Sequence, residues 1–433
     1  MSDMLKAAAT SWTIFFGLLL IMLGNGLQMV LLGIRSSDAG FSNVVTGLIM
    51  AGYYLGLFLG SLGVPHILNN VGHVRVFGAT SAVASAAVLV HAAIIDPYVW
   101  AFMRILTGFS FAGMYIVCES WLNDQSTNET RGQMLSLYMI VTMAGIAGGQ
   151  MMISLGSETG FELFLLASVL VSLAVVPILI SVGKAPEFFA PERISLRRIF
   201  QISPLAVIGL ALNGMSIAMV FGMGAVYGKS IGMSSSEIGY FMTAPVIGAM
   251  LLQYPVGRLS DRFDRRAVIL GVSAMAAATL LIAWQLELGQ FALLLVCMVI
   301  FGGFLFPMYS LCIAHANDFL TPSQMVAVAS GLVMMSGAGA VIGSPLAALS
   351  LEYLGVASFF PLLASTQIAT AIIVIIRMTR RRAVPTAAQG PFVAIPEASS
   401  AVAASLNPEA EWVMSDEEAG DAEDPFKDNP YVN

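Results

Sequence analysis

The sequence predicts an all-α membrane protein with about twelve transmembrane helices, arranged as two pseudo-symmetric six-helix bundles. Of its 433 residues, 58% are hydrophobic and only 10% are charged, which leaves too few polar side chains to cover a water-exposed surface. The chain also contains one sequence motif twice, at 114–124 and at 308–318. The motif is Met-Tyr-x-x-Cys, followed after four residues by Asn-Asp. The composition indicates a membrane protein, and the repeated motif indicates an internal duplication.

Apolar stretches of about 20 residues, the length that crosses the hydrocarbon core of a bilayer, recur along most of the chain. They span 11–33, 43–64, 74–94, 97–120, 132–155, 161–183, 203–227, 236–257, 267–285, 290–315, 322–348 and 355–378. Each half therefore contains six helices with the same topology. Such halves are parallel repeats related by an axis along the membrane normal, and transporters place their binding site between them.

Other positions repeat at nearly constant offsets. The pairs are Gly108/Gly302, Gly145/Gly339 and Gly149/Gly343 at 194 residues, Gly47/Gly239, Met50/Met242 and Gly56/Gly248 at 192, and Asn25-Gly26/Asn213-Gly214 at 188. We therefore expect a first bundle at 1–183, a linker at 184–202 and a second bundle at 203–378. The remaining segment, 379–433, carries ten acidic against four basic residues, and this composition predicts a disordered tail.

The distribution of basic residues predicts the orientation, because Lys and Arg accumulate in cytoplasmic loops. If the N-terminus is inside, nearly all of them fall on the inner side, and only Arg35 and Lys229 lie in the outer loops. The first apolar stretch lacks a small-residue cleavage site and is read as a retained helix. We therefore expect both termini in the cytoplasm and the protein in a bacterial inner membrane.

The loop after the eighth apolar stretch reads Gly-Arg-Leu-Ser-Asp-Arg-Phe-Asp-Arg-Arg at 257–266. It resembles the signature of the major facilitator superfamily, Gly-x-Leu-x-Asp-Arg-x-Gly-Arg-Arg, with Asp264 in place of the second glycine. The corresponding loop of the first half, 60–75, has Asn69 where the family has an acid. Arg104-x-x-x-Gly108 resembles a second motif of that family. The resemblance covers residues 11–378.

The resemblance implies the superfamily's fold and a set of gating residues on the cytoplasmic side. In the signature loop these are Gly257, Asp261, Arg262, Arg265 and Arg266. It also implies that Glu119, at the end of the fourth helix, pairs with Arg131 at the start of the fifth to hold this side closed. Direct proton coupling by Glu119 is the alternative.

Arg104 is the cation deepest in a predicted helix, and such residues normally face a bundle interior or a water-filled cavity. Helical spacing puts Phe111 and Tyr115 on the same face. The repeat-related position is Met298, and this asymmetry favours a role with the solute or a proton. The alternative is a packing role, in which Arg104 bonds neighbouring carbonyl groups.

The predicted solute-binding residues are polar or aromatic positions near the middle of the helices, where a hydrogen-bonding group needs a partner. They are Asn25, Gln28, Arg104, Phe111, Tyr115, Asn213, Ser216 and Tyr309. A cavity with one cation, and with no carboxylate in the first or seventh helix, predicts an anionic, zwitterionic or neutral solute.

The sequence contains no Walker loop, no metal-ligating cluster of His, Cys and carboxylates, and no Ser/His/Asp arrangement. We therefore expect no enzyme activity, no catalytic residue, no metal and no cofactor, and nothing indicates a nucleic-acid partner. Cys118, Cys297 and Cys312 all lie in apolar stretches, which favours simple burial.

These observations predict a secondary transporter, monomeric in the lipid bilayer, that moves a small organic solute by alternating access. An ion gradient, most simply of protons, would drive it as a symporter. Two alternatives stay open: an exporter of amphiphilic or drug-like compounds, and a membrane sensor or scaffold acting through the acidic tail. The segment 143–149 lacks the proline of the superfamily's antiporter signature, which argues against drug/proton exchange.

Overall fold

The computed structural model describes residues 11–127, 129–157, 160–180, 194–380, 384–397 and 399–410. These residues form helices and connecting loops, without a strand. The first six long helices are α1 (Trp12–Asp38), α2 (Asn43–Val71), α3 (His73–Ala93), α4 (Pro97–Asp124), α5 (Arg131–Met151) and α6 (Glu162–Leu173, continued by Val175–Leu179). The other six are α7 (Pro204–Ser230), α8 (Ser235–Ser260), α9 (Arg265–Trp284), α10 (Phe291–Asn317), α11 (Pro322–Tyr353) and α12 (Phe359–Arg380).

Eleven of these helices are long and apolar enough to cross a membrane, in agreement with a fold of about twelve transmembrane helices. The exception is α8, whose 26 residues are sufficient in length. Pro245, Gln253 and Pro255 lower its mean hydropathy. The predicted sixth helix, 161–183, is interrupted at Ala174 in α6, and its last three residues lie outside the described part of the chain.

Local sequence signals fix where several helices begin. Asp96 accepts hydrogen bonds from the backbone amides of Tyr98 and Val99, and Pro97 occupies the first turn of α4. Ser234 and Glu237 form a capping box at the start of α8. These side chains satisfy amide groups that a helix N-terminus leaves without an intrahelical partner.

The repeat-related glycines make equivalent helix contacts in the two halves. A Cβ atom on Gly108 would overlap the Tyr53 carbonyl oxygen of α2, and one on Gly302 would overlap the Pro245 carbonyl oxygen of α8. Gly149 and Gly343 approach the helices α1 and α7 in the same way. The helix pairs α2/α4 and α8/α10, and likewise α1/α5 and α7/α11, therefore correspond.

The first half (α1–α6) meets the second (α7–α12) mainly along α1, α2 and α5 on one side and α7, α8 and α11 on the other. We call one end of the bundle the basic face and the other end the opposite face. The basic face carries the loops at 72, 125–130, 261–264 and 318–321. At the opposite face Lys229 lies 3.2 Å from Asp38, and the Asn43 amide donates to Glu352 Oε2 at 2.9 Å. The two halves are thus in contact at this end.

The segment 384–410 (the tail segment) packs against the basic face, with Val384, Ile395, Val402 and Leu406 buried. The prediction of disorder from residue 379 was wrong for this segment. Its apolar runs 392–396 and 402–406 bury apolar surface, and only two of the ten acidic residues lie in it. The other eight lie beyond residue 410, outside the described residues.

Candidate functional site

A cavity of about 120 Å³ lies between the two halves. Helices α1, α2, α4 and α5 line it from the first half, and α7, α10 and α11 line it from the second. Glu397, Ser399 and Ser400 of the tail segment form its wall toward the basic face. We expected the first, fourth, seventh and tenth helices to line it. The additional helices take part because α2, α5 and α11 form much of the contact between the halves.

The repeat extends to the cavity lining. The pairs of lining residues at matching repeat positions are Met29/Ile217, Ala112/Phe306, Thr142/Ser336 and Ile146/Ala340. The first pair has the offset of 188 residues and the others have the offset of 194. The cavity therefore follows the pseudo-symmetry axis of the fold.

The first half supplies a polar wall. Asn25 Nδ2 donates to Tyr53 Oη at 3.0 Å and to Tyr115 Oη at 3.5 Å. Asn25 Oδ1 is buried and has no hydrogen-bond partner among the described residues. Tyr54 lines the same wall. This cluster presents an unsatisfied amide oxygen and phenolic hydroxyls to a bound molecule.

The second half supplies a largely apolar wall, formed by Ile217, Phe221, Phe306, Val333 and Met334. Its polar lining residue is Ser336, whose hydroxyl donates to Glu397 Oε1 of the tail segment at 3.0 Å. The cavity thus has a hydrogen-bonding side and a hydrophobic side.

Arg104 lies one layer behind the polar wall and does not line the cavity. Its side chain is 2% exposed, and its guanidinium carbon lies 4.5 Å from the centre of the Tyr53 ring, within cation–π distance. Its Nε and Nη1 have no hydrogen-bond partner in the described part of the chain. Phe111 is also behind the wall, with its ring 6.0 Å from that of Tyr53 and 5.9 Å from that of Tyr115.

The other predicted solute-binding residues do not line the cavity. Gln28 and Asn213 are buried in the helix layer, and Ser216 faces α12, where it bonds Thr366 at 2.7 Å and Gln367 at 3.1 Å. Tyr309 is fully buried near Glu397. The structure therefore brings together Asn25 and Tyr115 from the predicted set, with Arg104 and Phe111 in support.

The predicted ion pair between Glu119 and Arg131 is absent from the described structure. Glu119 Oε1 accepts the Tyr138 hydroxyl at 2.8 Å, and its carboxylate also accepts the backbone amide and hydroxyl of Ser400. In this conformation the tail segment occupies the position that we assigned to the cation, and the gating role of the pair stays a prediction.

The signature loop has a different arrangement. Arg265 forms an ion pair with Asp318 at 2.7 Å, and these side chains are only 1% and 2% exposed. Asp264, which replaces the motif's glycine, accepts the Arg266 amide at 3.0 Å and pairs with its guanidinium. It therefore caps α9. Arg262 is exposed.

Two gating positions of the signature loop contact the tail segment. The Phe392 amide donates to Asp261 Oδ1 at 2.7 Å, and the Phe392 ring lies against Gly257, where a Cβ atom would overlap it. The predicted gating loop is thus engaged, and its partner is a part of the chain that we had predicted to be disordered.

The family model of the major facilitator superfamily matches residues 14–204 and 206–412. The chain belongs to the major facilitator superfamily. Relatives in this superfamily include an uncharacterized MFS-type transporter, YcaD, of Salmonella arizonae. It is 24% identical over 339 residues, or 78% of this chain and 87% of the relative. The YcaD of Salmonella typhimurium is likewise 24% identical over 338 residues. The protein is therefore a multi-pass membrane transport protein.

Solved transporter structures share the fold of this superfamily member. The nucleoside transporter NupG has a TM-score of 0.71 at 14% identity and covers 85% of this chain and 98% of its own. A bacterial homolog of the human lysosomal transporter Spinster, in an inward-facing and unoccupied conformation, has a TM-score of 0.65 at 13% identity. It covers 93% of this chain and 97% of its own.

Tyr53, Tyr54, Ser336 and Glu397 are among the lining residues of this transporter's cavity that sequence reasoning missed. The first two are adjacent hydroxyls within a long apolar helix, which is the signal that could have identified them. Ser336 is the repeat counterpart of Thr142, and the repeat could have identified the two together. Glu397 directly follows the apolar run 392–396, and that run is the signal that could have identified it.

Proposed function

We propose that this protein is a secondary active transporter that moves a small organic solute across a bacterial inner membrane by alternating access. The observation that supports this most strongly is the cavity between the two halves, because eight of its lining residues form four repeat-related pairs. Rocking of residues 1–183 against 203–378 would expose such a site first to one face and then to the other. The monomer contains all the parts that this motion needs.

The solute is an anionic, zwitterionic or neutral molecule with one polar and one apolar side. Arg104 places a positive charge behind Tyr53, and this polarises the hydroxyl toward a hydrogen-bond acceptor. Asn25 Oδ1 offers an acceptor to a donor on the solute. The facing wall, which contains Phe221 and Phe306, favours an apolar body.

Export of amphiphilic compounds is the second candidate, and the apolar wall of the second half favours it. The sensor or scaffold alternative has less support, because the tail segment is engaged with its own helices over residues 384–410. We propose uptake coupled to an ion gradient, with protons as the first ion to test.

Ligand-induced thermal stabilisation of the purified protein tests the site directly, because a molecule that binds only the folded state raises its apparent stability. The library should contain carboxylates, amino acids, nucleosides and amphiphilic amines, since these classes separate the two candidates. We expect stabilisation by members of the first three classes. Stabilisation by amphiphilic amines alone would favour the exporter.

Asn25→Ala and Asn213→Ala form a matched pair, since both residues are buried in repeat-related positions and only Asn25 lines the cavity. Asn25→Ala should remove the stabilisation by each hit, and Asn213→Ala should retain it. Hits are then tested for counterflow in proteoliposomes, with and without a pH gradient. Equal losses in the two variants, or hits that are not transported, would refute the proposal.

A further inference from the structure

The tail segment contacts the second half through its own backbone. Arg265 Nη2 donates to the Gly390 carbonyl oxygen at 2.6 Å, and the Gly390 amide donates to Asp318 Oδ1 at 3.2 Å. Ser310 Oγ accepts the Ile395 amide at 3.0 Å and donates to its carbonyl oxygen at 3.1 Å. The buried ion pair of Arg265 and Asp318 therefore serves as a binding site for this segment.

The same segment contacts the first half. The backbone amide of Ser400 lies 3.1 Å from each carboxylate oxygen of Glu119, which is fully buried. The short helical turn Ala401–Leu406 then packs against α4 and α5 of the first half and α11 of the second. One continuous stretch of chain thus bridges the two halves on the basic face.

Between these two contacts the segment enters the cavity. Glu397, Ser399 and Ser400 form part of the cavity lining, and Glu397 receives the Ser336 hydroxyl. With the segment in place the cavity measures about 120 Å³, below the ~300–1,000 Å³ that is typical of ligand sites. The segment therefore occupies space through which a solute would enter from the basic face.

The opposite face is closed by direct contacts between the halves. Asp38 of the first half pairs with Lys229 of the second, and Gly33 is so close to Ala225 that a Cβ atom at position 33 would lie 2.9 Å from the Ala225 side chain. The halves are therefore in direct contact at the opposite face, and at the basic face the tail segment lies between them. Closing the basic face requires the space that the segment fills.

We propose that residues 389–407 form an autoinhibitory wedge, which blocks the cavity at the basic face and holds the halves in this conformation until it is released. This inference deepens the proposed function, since it names how the same site is regulated. Release would open the cavity to solute on the basic face and would also allow the halves to close there and open at the opposite face.

Labelling of a single cysteine in the cavity tests the block without any knowledge of the solute. Ser61→Cys places a thiol in the cavity lining, in a background where the three native cysteines, all buried, are replaced by alanine. In the full chain, Ile395→Asp with Leu406→Asp should release the segment, because each change puts a charge into a buried apolar position. Thr386→Asp, at an exposed position of the same tail, is the matched control.

We expect a polar maleimide to label the cavity thiol at least tenfold faster in the released variant than in the control or the parent. Circular dichroism and gel filtration establish that each variant is folded. Equal labelling rates in folded parent and released proteins would overturn the block, whatever the outcome of the transport assays.

Spin labels at positions 39 and 230, which are exposed neighbours of the ion pair and leave it intact, test the conformational lock separately. We expect one short distance in the parent and a second, longer distance in the released variant, as the opposite face opens in part of the population. Faster labelling with an unchanged distance distribution would overturn the lock. If both measurements succeed and no solute is transported, the wedge stands and the proposed transport function fails.

Discussion

Raising the pH should release the tail segment through Glu397. This side chain is half-buried beside Ser336, Tyr54 and Tyr309, and its Oε2 atom is buried without a hydrogen-bond partner among the described residues. No cation lies in hydrogen-bond contact with it in that part of the chain. Burial, partly opposed by the Ser336 hydrogen bond, raises the pKa of Glu397 to about 8, against ~4.3 for a solvated glutamate.

The direction of the pH effect follows from the thermodynamic linkage between proton binding and docking of the tail segment. The docked state binds the proton more tightly than the released state, so docking is strongest below ~4.3 and weakens as the pH rises toward about 8. Within this window each pH unit changes the docking equilibrium by up to about tenfold, or ~1.4 kcal/mol. Between pH 6 and pH 7.5 the fraction of released segment should therefore rise by up to about 30-fold.

The assay is the labelling rate of Ser61→Cys from pH 6 to pH 7.5, divided at each pH by the rate in the released variant. This ratio removes the change in thiolate fraction. Glu397→Gln should give a flat ratio, because its amide does not titrate. Glu119, Asp261 and Asp318, the other acids that accept hydrogen bonds from the segment, are retained in that variant. A rise with pH that persists in Glu397→Gln, or a ratio that falls as the pH rises, would refute the assignment.

Three further predictions concern the helical body. Arg104→Met, which copies the residue at position 298, should abolish uptake in proteoliposomes. Arg104→Lys should retain part of the uptake, because Lys keeps the charge and loses the planar guanidinium. Uptake at the parent rate in Arg104→Met would leave only a packing role for Arg104. Gly108→Ala and Gly302→Ala should each lower the free energy of unfolding by about 1–3 kcal/mol, measured by thermal unfolding, since the added Cβ overlaps a backbone carbonyl oxygen. Gly271→Ala is the control, because the space around its Cα is open. Single cysteines at positions 35 and 229 should react with an impermeant reagent in intact cells and one at position 262 only after permeabilisation; the reverse pattern would overturn the orientation.

The fold could be predicted because its signals are strong and repeated. Apolar stretches long enough to span a bilayer recur along the chain. The repeated sequence motif places Tyr115 and Tyr309 at equivalent positions, and both are buried, with 1% and 0% of their surface exposed. The glycine pairs gave the helix contacts within each half. The break in α6 at Ala174 precedes Pro177, which has no amide hydrogen to donate to the carbonyl group of residue 173.

The site was less predictable, because its members depend on which helix faces turn inward. Gln28 and Asn25 lie three residues apart on α1, yet only Asn25 lines the cavity. Ser216 was expected at the cavity and instead bonds α12. Tyr53 and Tyr54 carried no periodic signal, and the bulk acidity of the tail concealed the apolar runs that dock it.

The docking of the tail segment also accounts for the difference between the signature loops of the two halves, of which only the second has the acidic residue. In the second half the loop retains its acid, and Asp261 binds the Phe392 amide. At the equivalent position of the first half Asn69 is exposed, and the first half instead binds the segment through Glu119, deeper in the bundle. Because the segment passes from the surface loop of one half to an interior carboxylate of the other, it must cross the mouth of the cavity. The position of the wedge therefore follows from where each half offers a carboxylate acceptor to a free backbone amide.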